Sequence, residues 1–426
     1  MADNSIDAIV TDPPYGLSQT RPDKVADTIT RWATGEREYT PGGKGFMGKT
    51  WDSFVPPPAV WDECLRVLKP GGHLLVFAGT RTQDLMGLSI RLAGFELRDS
   101  LAWIYGSGFP KSMSVDKAIE SHVSTGKSNS RSLRATEQGG GGEPYTLTGK
   151  NNGILGETRV YDRKEFSATT DEAREWQGWG TALKPGQEPI IMARKPLSGT
   201  VAGNVLEWGT GALNIDASRV ESEPRRIENY ASKGSEGMMS HGFAGGAGHS
   251  GRERTARIEH AGRWPANVLL DPEAAAAMDE QSGNLPTQKA RKNPGKETTD
   301  SGMFGIAGKQ KNGPEYLGDS GGASRFFPVF KYQAKAPAKE RPFYTIEDGT
   351  EVKHATVKPL ELMRWLVRLV TPPDGIVLDP FAGSGTTLEA ALMEGFTPVG
   401  IEAESDYIPL IEARLSRVED TLEATL

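Results

Sequence analysis

Both ends of the chain alternate short apolar segments with amphipathic ones, and this alternation restricts the possible folds more than any other feature. At the N-terminal end, residues 6–10, 73–78 and 95–105 are apolar runs of the length of strands. Apolar residues at helical spacing predict helices over 60–68 and 83–92. Strands that alternate with helices are typical of a parallel sheet covered on both faces, so we expect an α/β fold.

The C-terminal end repeats the alternation. An amphipathic helix is predicted over Leu360–Val370, followed by a strand at Ile376–Asp379, a helix at Thr387–Met393 and a strand from Pro398 to Glu402. This succession has the length of a βαβ unit. In the N-terminal part, Lys69-Pro70-Gly71-Gly72 is a strong stop signal, which should end the first helix before the next strand begins.

The middle of the chain lacks this order. Residues 111–177 and 197–335 are irregular and contain glycine-rich stretches, with short elements such as Asn267–Leu270, and one more strand is predicted near 186–195. The formal net charge is −7, but basic residues outnumber acidic ones between 111 and 345, whereas the ends are acidic. A mildly basic middle can face a phosphate backbone, although ordinary scatter of surface charge explains the asymmetry equally well.

Composition excludes several classes of protein. No run of about 18 apolar residues is present, which argues against a membrane span, and the first residues do not resemble a signal peptide. The single cysteine, Cys64, rules out an intramolecular disulfide and a multi-cysteine zinc site. It lies on the apolar side of a predicted helix, so we interpret it as a core residue rather than a cytosine-C5 nucleophile. We expect a soluble, cytoplasmic protein without a metal site.

A glycine-rich loop from Asp379 to Thr387 joins the strand and the helix of the C-terminal unit. Gly383 and Gly385 let the backbone approach a ligand, and the helix N-terminus favours a negative or polar group. Glu402 ends the next strand, where a carboxylate can accept hydrogen bonds from ribose hydroxyls. The loop lacks the third glycine of the dinucleotide fingerprint, and taken alone it is also compatible with a simple tight turn.

A second constellation, Asp12-Pro13-Pro14-Tyr15, directly follows the first predicted strand. The two prolines remove backbone donors and fix φ, so the turn is rich in acceptors beside an aromatic ring. Such a site suits an exocyclic amino group, because the carboxylate and carbonyl oxygens accept its N–H groups while the ring stacks on the base. The alternative interpretation is a proline-rich turn that only closes a strand.

Together the two segments resemble the amino-group DNA methyltransferases, whose hallmark pair is this acceptor turn and a Phe-x-Gly-x-Gly loop, here Phe381–Gly385. The acceptor turn comes first, an order similar to the permuted β group of the family, of the phage or restriction–modification kind. The resemblance implies a circularly permuted, Rossmann-like S-adenosylmethionine-dependent methyltransferase sheet with a large irregular target-recognition insert. It also implies methyl transfer from S-adenosylmethionine to the amino group of a flipped-out base in DNA. Asp12 favours adenine N6, with cytosine N4 as the alternative.

The segment His354-Ala355-Thr356-Val357-Lys358-Pro359 strengthens this resemblance, because a His-Pro-Thr-x-Lys-Pro run precedes the cofactor loop in the family. Alanine replaces the family's first proline, and on the residues alone the segment is a helix N-terminus with a threonine cap. The resemblance assigns catalysis to Asp12, Pro13, Pro14 and Tyr15. It assigns S-adenosylmethionine binding to Thr356, Lys358, Asp379, Phe381, Gly383, Gly385, Thr386 and Glu402, with no metal.

The resemblance also divides the chain into a catalytic half (1–110), a target-recognition insert (111–349) that returns to the sheet near 178–196, and a cofactor-binding half (350–426). Double-stranded DNA is the implied partner, a cognate restriction enzyme is left open, and the protein would be a monomer or a homodimer. Candidate DNA contacts are Lys49, Trp51, Lys111, Arg263 and Arg325. Packing within a small subdomain explains the aromatic and basic residues of the insert as well as DNA contact does. These residues are Trp176, Trp179, Lys184, Arg263, Trp264, Arg325, Phe326 and Phe327.

Two further features need separate interpretations. Gly43–Thr50 matches the Walker A pattern, but no apolar strand precedes it and no helix follows, so we interpret it as a loop after the acceptor turn. Members of the family also carry a strand and an acidic residue just before the segment equivalent to Ile6–Val10, and this chain begins too late to contain them. We interpret this as a start codon placed downstream of the true one. A truncated, non-catalytic DNA-binding remnant is the alternative to an enzyme.

Overall fold

The computed structural model describes most of both ends of the chain and parts of its middle. The described residues are 1–17, 20–43, 52–106, 112–126, 142–146, 160–163, 166–220, 225–227, 258–260, 262–284, 320–330, 342–345, 351–354 and 356–423. They belong to two compact units, one formed by residues 1–107 together with 187–426 and the other by residues 108–186.

The strands follow one another in the chain as β1 (Ile6–Thr11), β2 (Leu68–Phe77), β3 (Glu96–Ile104), β4 (Gly142–Thr146), β5 (Val160–Arg163), β6 (Gln187–Arg194), β7 (Arg225–Ile227), β8 (Ile258–His260), β9 (Val268–Leu270), β10 (Phe343–Thr345), β11 (Glu351–Lys353), β12 (Ile376–Asp379) and β13 (Thr397–Gly400). The larger unit contains a seven-stranded sheet with the order β13-β12-β1-β2-β6-β3-β9. Three antiparallel pairs, β4–β5, β7–β8 and β10–β11, lie apart from this sheet.

The α-helices of the described residues are α1 (Pro22–Thr34), α2 (Pro58–Val67), α3 (Gln83–Leu92), α4 (Val115–Thr125), α5 (Asp171–Glu175), α6 (Val201–Trp208), α7 (Pro272–Ser282), α8 (Leu360–Val370), α9 (Thr386–Met393) and α10 (Ile408–Glu423). None of these helices combines the length and the apolar composition that a membrane crossing requires.

The large sheet is mostly parallel. β13, β12, β1 and β2 run in one direction, and β9 runs parallel to β3. Only β6 is antiparallel to its neighbours within this sheet, pairing with β2 on one side and with β3 on the other. The α/β fold expected from the alternating pattern is therefore confirmed, with one reversed strand among the parallel ones.

Apolar layers cover both faces of the sheet, because successive side chains of a strand point to opposite sides. On one face, Ile9 of β1 and Leu74 of β2 pack with α2 and α3. On the other, the neighbouring residues Ala8 and Leu75 pack with α8 and α9. Cys64 of α2 is 4% exposed within the first layer, which confirms that it is a core residue.

Most predicted element bounds agree with the structure within two residues, and α8 and β12 agree to the residue. The stop signal at Lys69–Gly72 does end α2 at Val67, but β2 begins at once at Leu68 and runs through these four residues. Backbone hydrogen bonds with Lys195 support the early part of β2. The threonine cap is wrong, since Pro359 is the residue that precedes α8 and no side chain caps this helix.

In the smaller unit, Glu120 links α4 to the start of α5. Its carboxylate accepts backbone N–H groups of Thr169 and Thr170, each over 3.0 Å, at the start of α5. Hydrogen bonds from the hydroxyl of Thr169 and from these backbone groups lower the pKa of Glu120 to about 2. Trp176 and Trp179 form an edge-to-face pair with ring centroids 5.1 Å apart, and both are exposed.

Candidate active site

The two sequence constellations lie side by side at one edge of the large sheet. β1 and β12 are adjacent and parallel, so the turns that follow them leave the sheet at the same carboxyl edge. Oγ1 of Thr11, the last residue of β1, donates a buried hydrogen bond of 2.7 Å to Oδ1 of Asp379, the last residue of β12. The acceptor turn (Asp12–Tyr15) and the glycine turn (Asp379–Thr386) are therefore neighbours in space.

Four side chains form a hydrogen-bonded group at the acceptor turn, which we call the acceptor cluster: Asp12, Tyr15, Glu188 and Lys358. The hydroxyl of Tyr15 donates to Oδ1 of Asp12 over 2.8 Å. Nζ of Lys358 donates to the Tyr15 hydroxyl and to Oε2 of Glu188, each over 2.9 Å, and lies 3.2 Å from Oδ2 of Asp12. One ammonium group thus links both carboxylates and the phenol.

Burial and neighbouring charges shift the pKa values of two members of this cluster, Lys358 and Tyr15. Burial by itself lowers the pKa of Lys358, but the carboxylates of Asp12 and Glu188 outweigh burial and raise it above the ordinary value. Burial raises the pKa of Tyr15, and the charges of Asp12 and Glu188 raise it further. Lys358 is therefore a cation at neutral pH. Tyr15 is a neutral phenol that donates a hydrogen bond to Asp12.

The glycine turn is built from the backbone. Gly383 and Gly385 have φ values of +54° and +81°, which side chains rarely adopt. A Cβ atom at Gly383 would lie 3.0 Å from the imidazole of His354. Gly385 is the N-cap of α9, and Thr386 is the first, buried residue of that helix. The sequence predicted a close backbone turn at a helix N-terminus, and the chain forms such a turn here.

Glu402 closes the glycine turn from the end of β13. Its Oε2 accepts the N–H of Gly383 over 2.6 Å and its Oε1 accepts the N–H of Glu404 over 2.9 Å.

The ring of His354 stands edge-to-face on that of Tyr407, with centroids 4.8 Å apart. Burial lowers the pKa of His354, against the opposing effect of the Thr356 carbonyl, so the imidazole favours its neutral form.

Asp379 and Phe381 support the glycine turn from inside. Asp379 is 2% exposed and accepts the N–H of Phe381 over 3.1 Å in addition to the Thr11 hydroxyl. Burial raises the pKa of Asp379 to about 6, although hydrogen bonds from Thr387 and Thr11 oppose the rise. The ring of Phe381 lies against that of Trp61 in α2, with centroids 6.3 Å apart.

Comparison with known sequences decides the family. The sequence profile of the family described as DNA methylase matches residues 6–413 of the 426. The chain belongs to the DNA methylase family. The match includes both turns and the residues of the acceptor cluster.

Curated relatives match this chain over a short part of its length. It is 36% identical to the type II methyltransferase M2.MboI of Moraxella bovis over 76 residues, which are 18% of this chain and 28% of the relative. It is also 36% identical to the type II methyltransferase M.ScaI of Streptomyces caespitosus over 69 residues, 16% of this chain and 23% of the relative. The chain thus spans less than a third of the length of these relatives.

Two solved structures are similar to this chain, with TM-scores below 0.5. The complex of M1.HpyAVI with SAM has 14% identity and a TM-score of 0.35, and the match covers 96% of this chain and 89% of that one. The PvuII DNA methyltransferase (cytosine-N4-specific) has 11% identity and a TM-score of 0.37, with coverage of 99% and 85%. The fold of this chain follows from the strand order of its own sheet.

Two residues that the resemblance assigned to S-adenosylmethionine make other contacts in the structure, and their role toward the cofactor stays a prediction. Nζ of Lys358 contacts the other three members of the acceptor cluster, and Thr356 is exposed with its carbonyl facing Nδ1 of His354. Glu188 was not predicted as a site residue. A signal existed, since Glu188 is a carboxylate within an apolar strand. Because β6 is antiparallel, it begins at the edge where the parallel strands end.

Of the five predicted DNA contacts, the structure describes two, Arg263 and Arg325. Lys49, Trp51 and Lys111 lie outside the described residues. Arg263 is only 8% exposed and donates to the carbonyl of Arg325, and both guanidinium groups lie over the ring of Phe326, at 4.9 and 4.3 Å. The two arginines therefore contact each other and the ring of Phe326, and their role toward DNA stays a prediction. Trp264 of the same region is 66% exposed.

Proposed function

We propose that this DNA methylase transfers a methyl group from S-adenosylmethionine to N6 of an adenine that is flipped out of double-stranded DNA. The observation that carries the proposal is the adjacency of the two turns, joined by the hydrogen bond between Thr11 and Asp379. An acceptor site for an amino group and a glycine turn for a nucleoside-containing cofactor then face one reaction site. The motif order supports the permuted β-group arrangement, and the type II relatives support a restriction–modification setting.

The residues of the glycine turn fit S-adenosylmethionine. Gly383 and Gly385 present bare backbone, and the N-terminus of α9 at Thr386 favours a negative or polar group. The Glu402 carboxylate uses two acceptor positions on backbone N–H groups, which leaves others for ribose hydroxyls. When bound, this cofactor supplies a methyl group on a positively charged sulfur.

The acceptor cluster orients and activates the base. Asp12 and the Pro13 carbonyl accept N–H groups of the amino nitrogen and draw its lone pair out of conjugation with the ring, while Tyr15 stacks on the base. The nitrogen forms a bond to the methyl carbon as the carbon–sulfur electron pair remains on sulfur. The methylated nitrogen then releases one proton, and the Asp12 carboxylate is the base in place to accept it. Positioning and fixed charges supply the rate.

Cytosine N4 is the second candidate, because the contacts just described are made to an amino group and cytosine carries one as well. A single experiment separates the candidates. The purified protein is incubated with tritiated-methyl S-adenosylmethionine and DNA from a methylation-free host, and the digested nucleosides are identified by mass. Label in N6-methyladenine is expected, and label in N4-methylcytosine would select the alternative.

Absence of label in both bases, with DNA binding retained, would refute the enzyme and favour the non-catalytic DNA-binding remnant. If label is found, single-molecule sequencing of DNA from the expressing host would locate the modified site. A sequence-specific pattern is expected if the protein acts as a type II methyltransferase does.

A further inference from the structure

The ammonium group of Lys358 contacts three oxygen atoms of the acceptor cluster. It donates hydrogen bonds to the Tyr15 hydroxyl and to Oε2 of Glu188, and it forms an ion pair with Oδ2 of Asp12 over 3.2 Å. The side chains of Lys358, Asp12 and Glu188 are 12, 20 and 22% exposed, so these contacts are partly shielded from water. Nζ also lies 4.7 Å from the ring centroid of Phe77, a favourable cation–π distance.

These contacts restrict the carboxylate of Asp12. An ionised carboxylate offers about four acceptor positions. Tyr15 donates a hydrogen bond to Oδ1, and the ammonium group of Lys358 lies 3.2 Å from Oδ2, so both oxygens of the carboxylate are held by a neighbour. Acceptor positions remain for a further donor. An incoming amino group therefore meets acceptors that are already oriented.

Glu188 determines where the ammonium group stays. Nζ of Lys358 is 2.9 Å from Oε2 of Glu188 and 3.2 Å from Oδ2 of Asp12, so the contact with Asp12 is the longer one. Glu188 lies on β6 and Asp12 follows β1, so the two carboxylates come from different parts of the sheet. Without the cation between them they would repel each other, which favours protonation of one.

We propose that Glu188 and Lys358 are positioning residues of the methyl-transfer reaction: Lys358 orients Asp12 and holds the Tyr15 hydroxyl, and Glu188 anchors Lys358. This inference rests on the proposed function, which assigns the amino group to Asp12. The competing explanation is an ion pair that only stabilises the fold.

The experiment compares Lys358→Met, Glu188→Gln, and the double variant that carries both substitutions. In Lys358→Met, we expect kcat for methyl transfer to fall about 10²-fold, because misplacement of a reacting group costs this much. KM for S-adenosylmethionine should stay close to the wild-type value. Since the two carboxylates then face each other without a cation, the acid limb of the kcat–pH profile should move to higher pH. Lys24→Met, at an exposed position of α1, is the matched control and should leave kcat and the profile unchanged.

The double variant separates positioning from stability. It removes the repulsion between the two carboxylates and leaves only the carboxylate of Asp12, so its melting temperature should partly recover relative to Lys358→Met, whereas kcat should remain low. Parallel recovery of kcat and melting temperature would overturn the proposal in favour of a structural ion pair. If Lys358→Met does not fold, Glu188→Gln decides alone. It removes only a charge, and an unchanged kcat and pH profile in this variant would refute the proposal.

The activity of the wild-type protein in the same assay distinguishes failure of the proposed function from failure of the positioning role alone. If the wild type labels neither adenine nor cytosine, the proposed function fails, and the positioning role fails with it. If the wild type is active and Lys358→Met is equally active, only the positioning role is refuted.

Discussion

The two turns at the carboxyl edge of the sheet are neighbours, but they are held together in opposite ways. The glycine turn closes through its own backbone and through Glu402, which is 19 positions from the N–H of Gly383 that it accepts. The acceptor turn is completed by side chains that are far away in the chain, since Glu188 and Lys358 lie 173 and 343 positions from Tyr15. One turn depends on local conformation and the other on the tertiary fold.

This difference suggests a division of labour that mutations can test. A turn made of backbone offers a surface on which a ligand can lie, so damage to it should weaken binding. A turn made of charged side chains offers oriented acceptors, so damage to it should slow the reaction after binding. We therefore expect kcat and the affinity for S-adenosylmethionine to respond separately at the two turns.

The largest effect is expected at Asp12. Asp12→Ala removes the carboxylate that accepts the amino group, so methyl transfer should fall about 10³-fold, the loss typical of a group that acts on the reacting atoms. Affinity for S-adenosylmethionine, measured by calorimetry, should be unchanged. Asp171→Ala, whose side chain is 94% exposed in the smaller unit, serves as the control. Near-wild-type incorporation of tritiated methyl by Asp12→Ala would remove the role assigned to this residue.

The second effect concerns Asp379, which joins the two turns. Its pKa is raised from 3.8 to about 6 in the folded protein, so between these values the folded state binds a proton more tightly than the unfolded chain does. The free energy of unfolding should therefore decrease as the pH rises through this window, by up to about 3 kcal/mol from this group. The decrease should be complete above pH 6.

Urea unfolding of the wild type and of Asp379→Asn between pH 4 and pH 7 measures this contribution. Asparagine keeps an oxygen that can accept the Thr11 hydroxyl but does not titrate in this range. The stability of the variant should vary less with pH in this window than that of the wild type. Equal pH dependence in both proteins would contradict the burial of an ionising carboxylate between the turns.

The same contrast explains what the sequence could predict. The bounds of α8 and β12 could be predicted to the residue because amphipathic spacing and flanking prolines and glycine are local signals. The glycine turn could be predicted because positive φ selects glycine. In β2 the local signal was misleading, since backbone pairing extends the strand through the glycines and proline that indicated only a stop.

The acceptor cluster shows what local patterns leave out. Asp12 and Tyr15 could be predicted because they are adjacent in one turn. Glu188 could not, because its place depends on the reversed direction of β6, which brings the start of that strand to the edge where β1 ends. Lys358 was predicted as a cofactor contact, which stays a prediction, but its contact with Asp12 was not predicted because the two residues are far apart in the chain. Such contacts become visible only once the strand order is known.

A smaller effect is expected from Gly383→Ala, and Gly395→Ala provides an unusually close control. Both glycines have positive φ, so each substitution should cost about 1 kcal/mol of stability. A methyl group at Gly395 would meet nothing within 4 Å, whereas one at Gly383 would lie 3.0 Å from His354. Only Gly383→Ala should therefore weaken S-adenosylmethionine binding, by about tenfold, or ~1.4 kcal/mol. Equal affinities in the two variants would show that the glycine turn is not a binding surface.

The smallest effect is expected from Glu402→Ala, and it is the sharpest test of the division between the turns. Loss of a ribose hydrogen bond, with a net value of about 1 kcal/mol, should raise the Kd for S-adenosylmethionine about fivefold. At saturating cofactor kcat should return to the wild-type value, because Asp12 and its partners are unchanged. Glu412→Ala, at an exposed position of α10, should affect neither quantity. If Glu402→Ala instead lowered kcat without changing Kd, the glycine turn would contribute to the chemical step and the two turns would not be functionally separate.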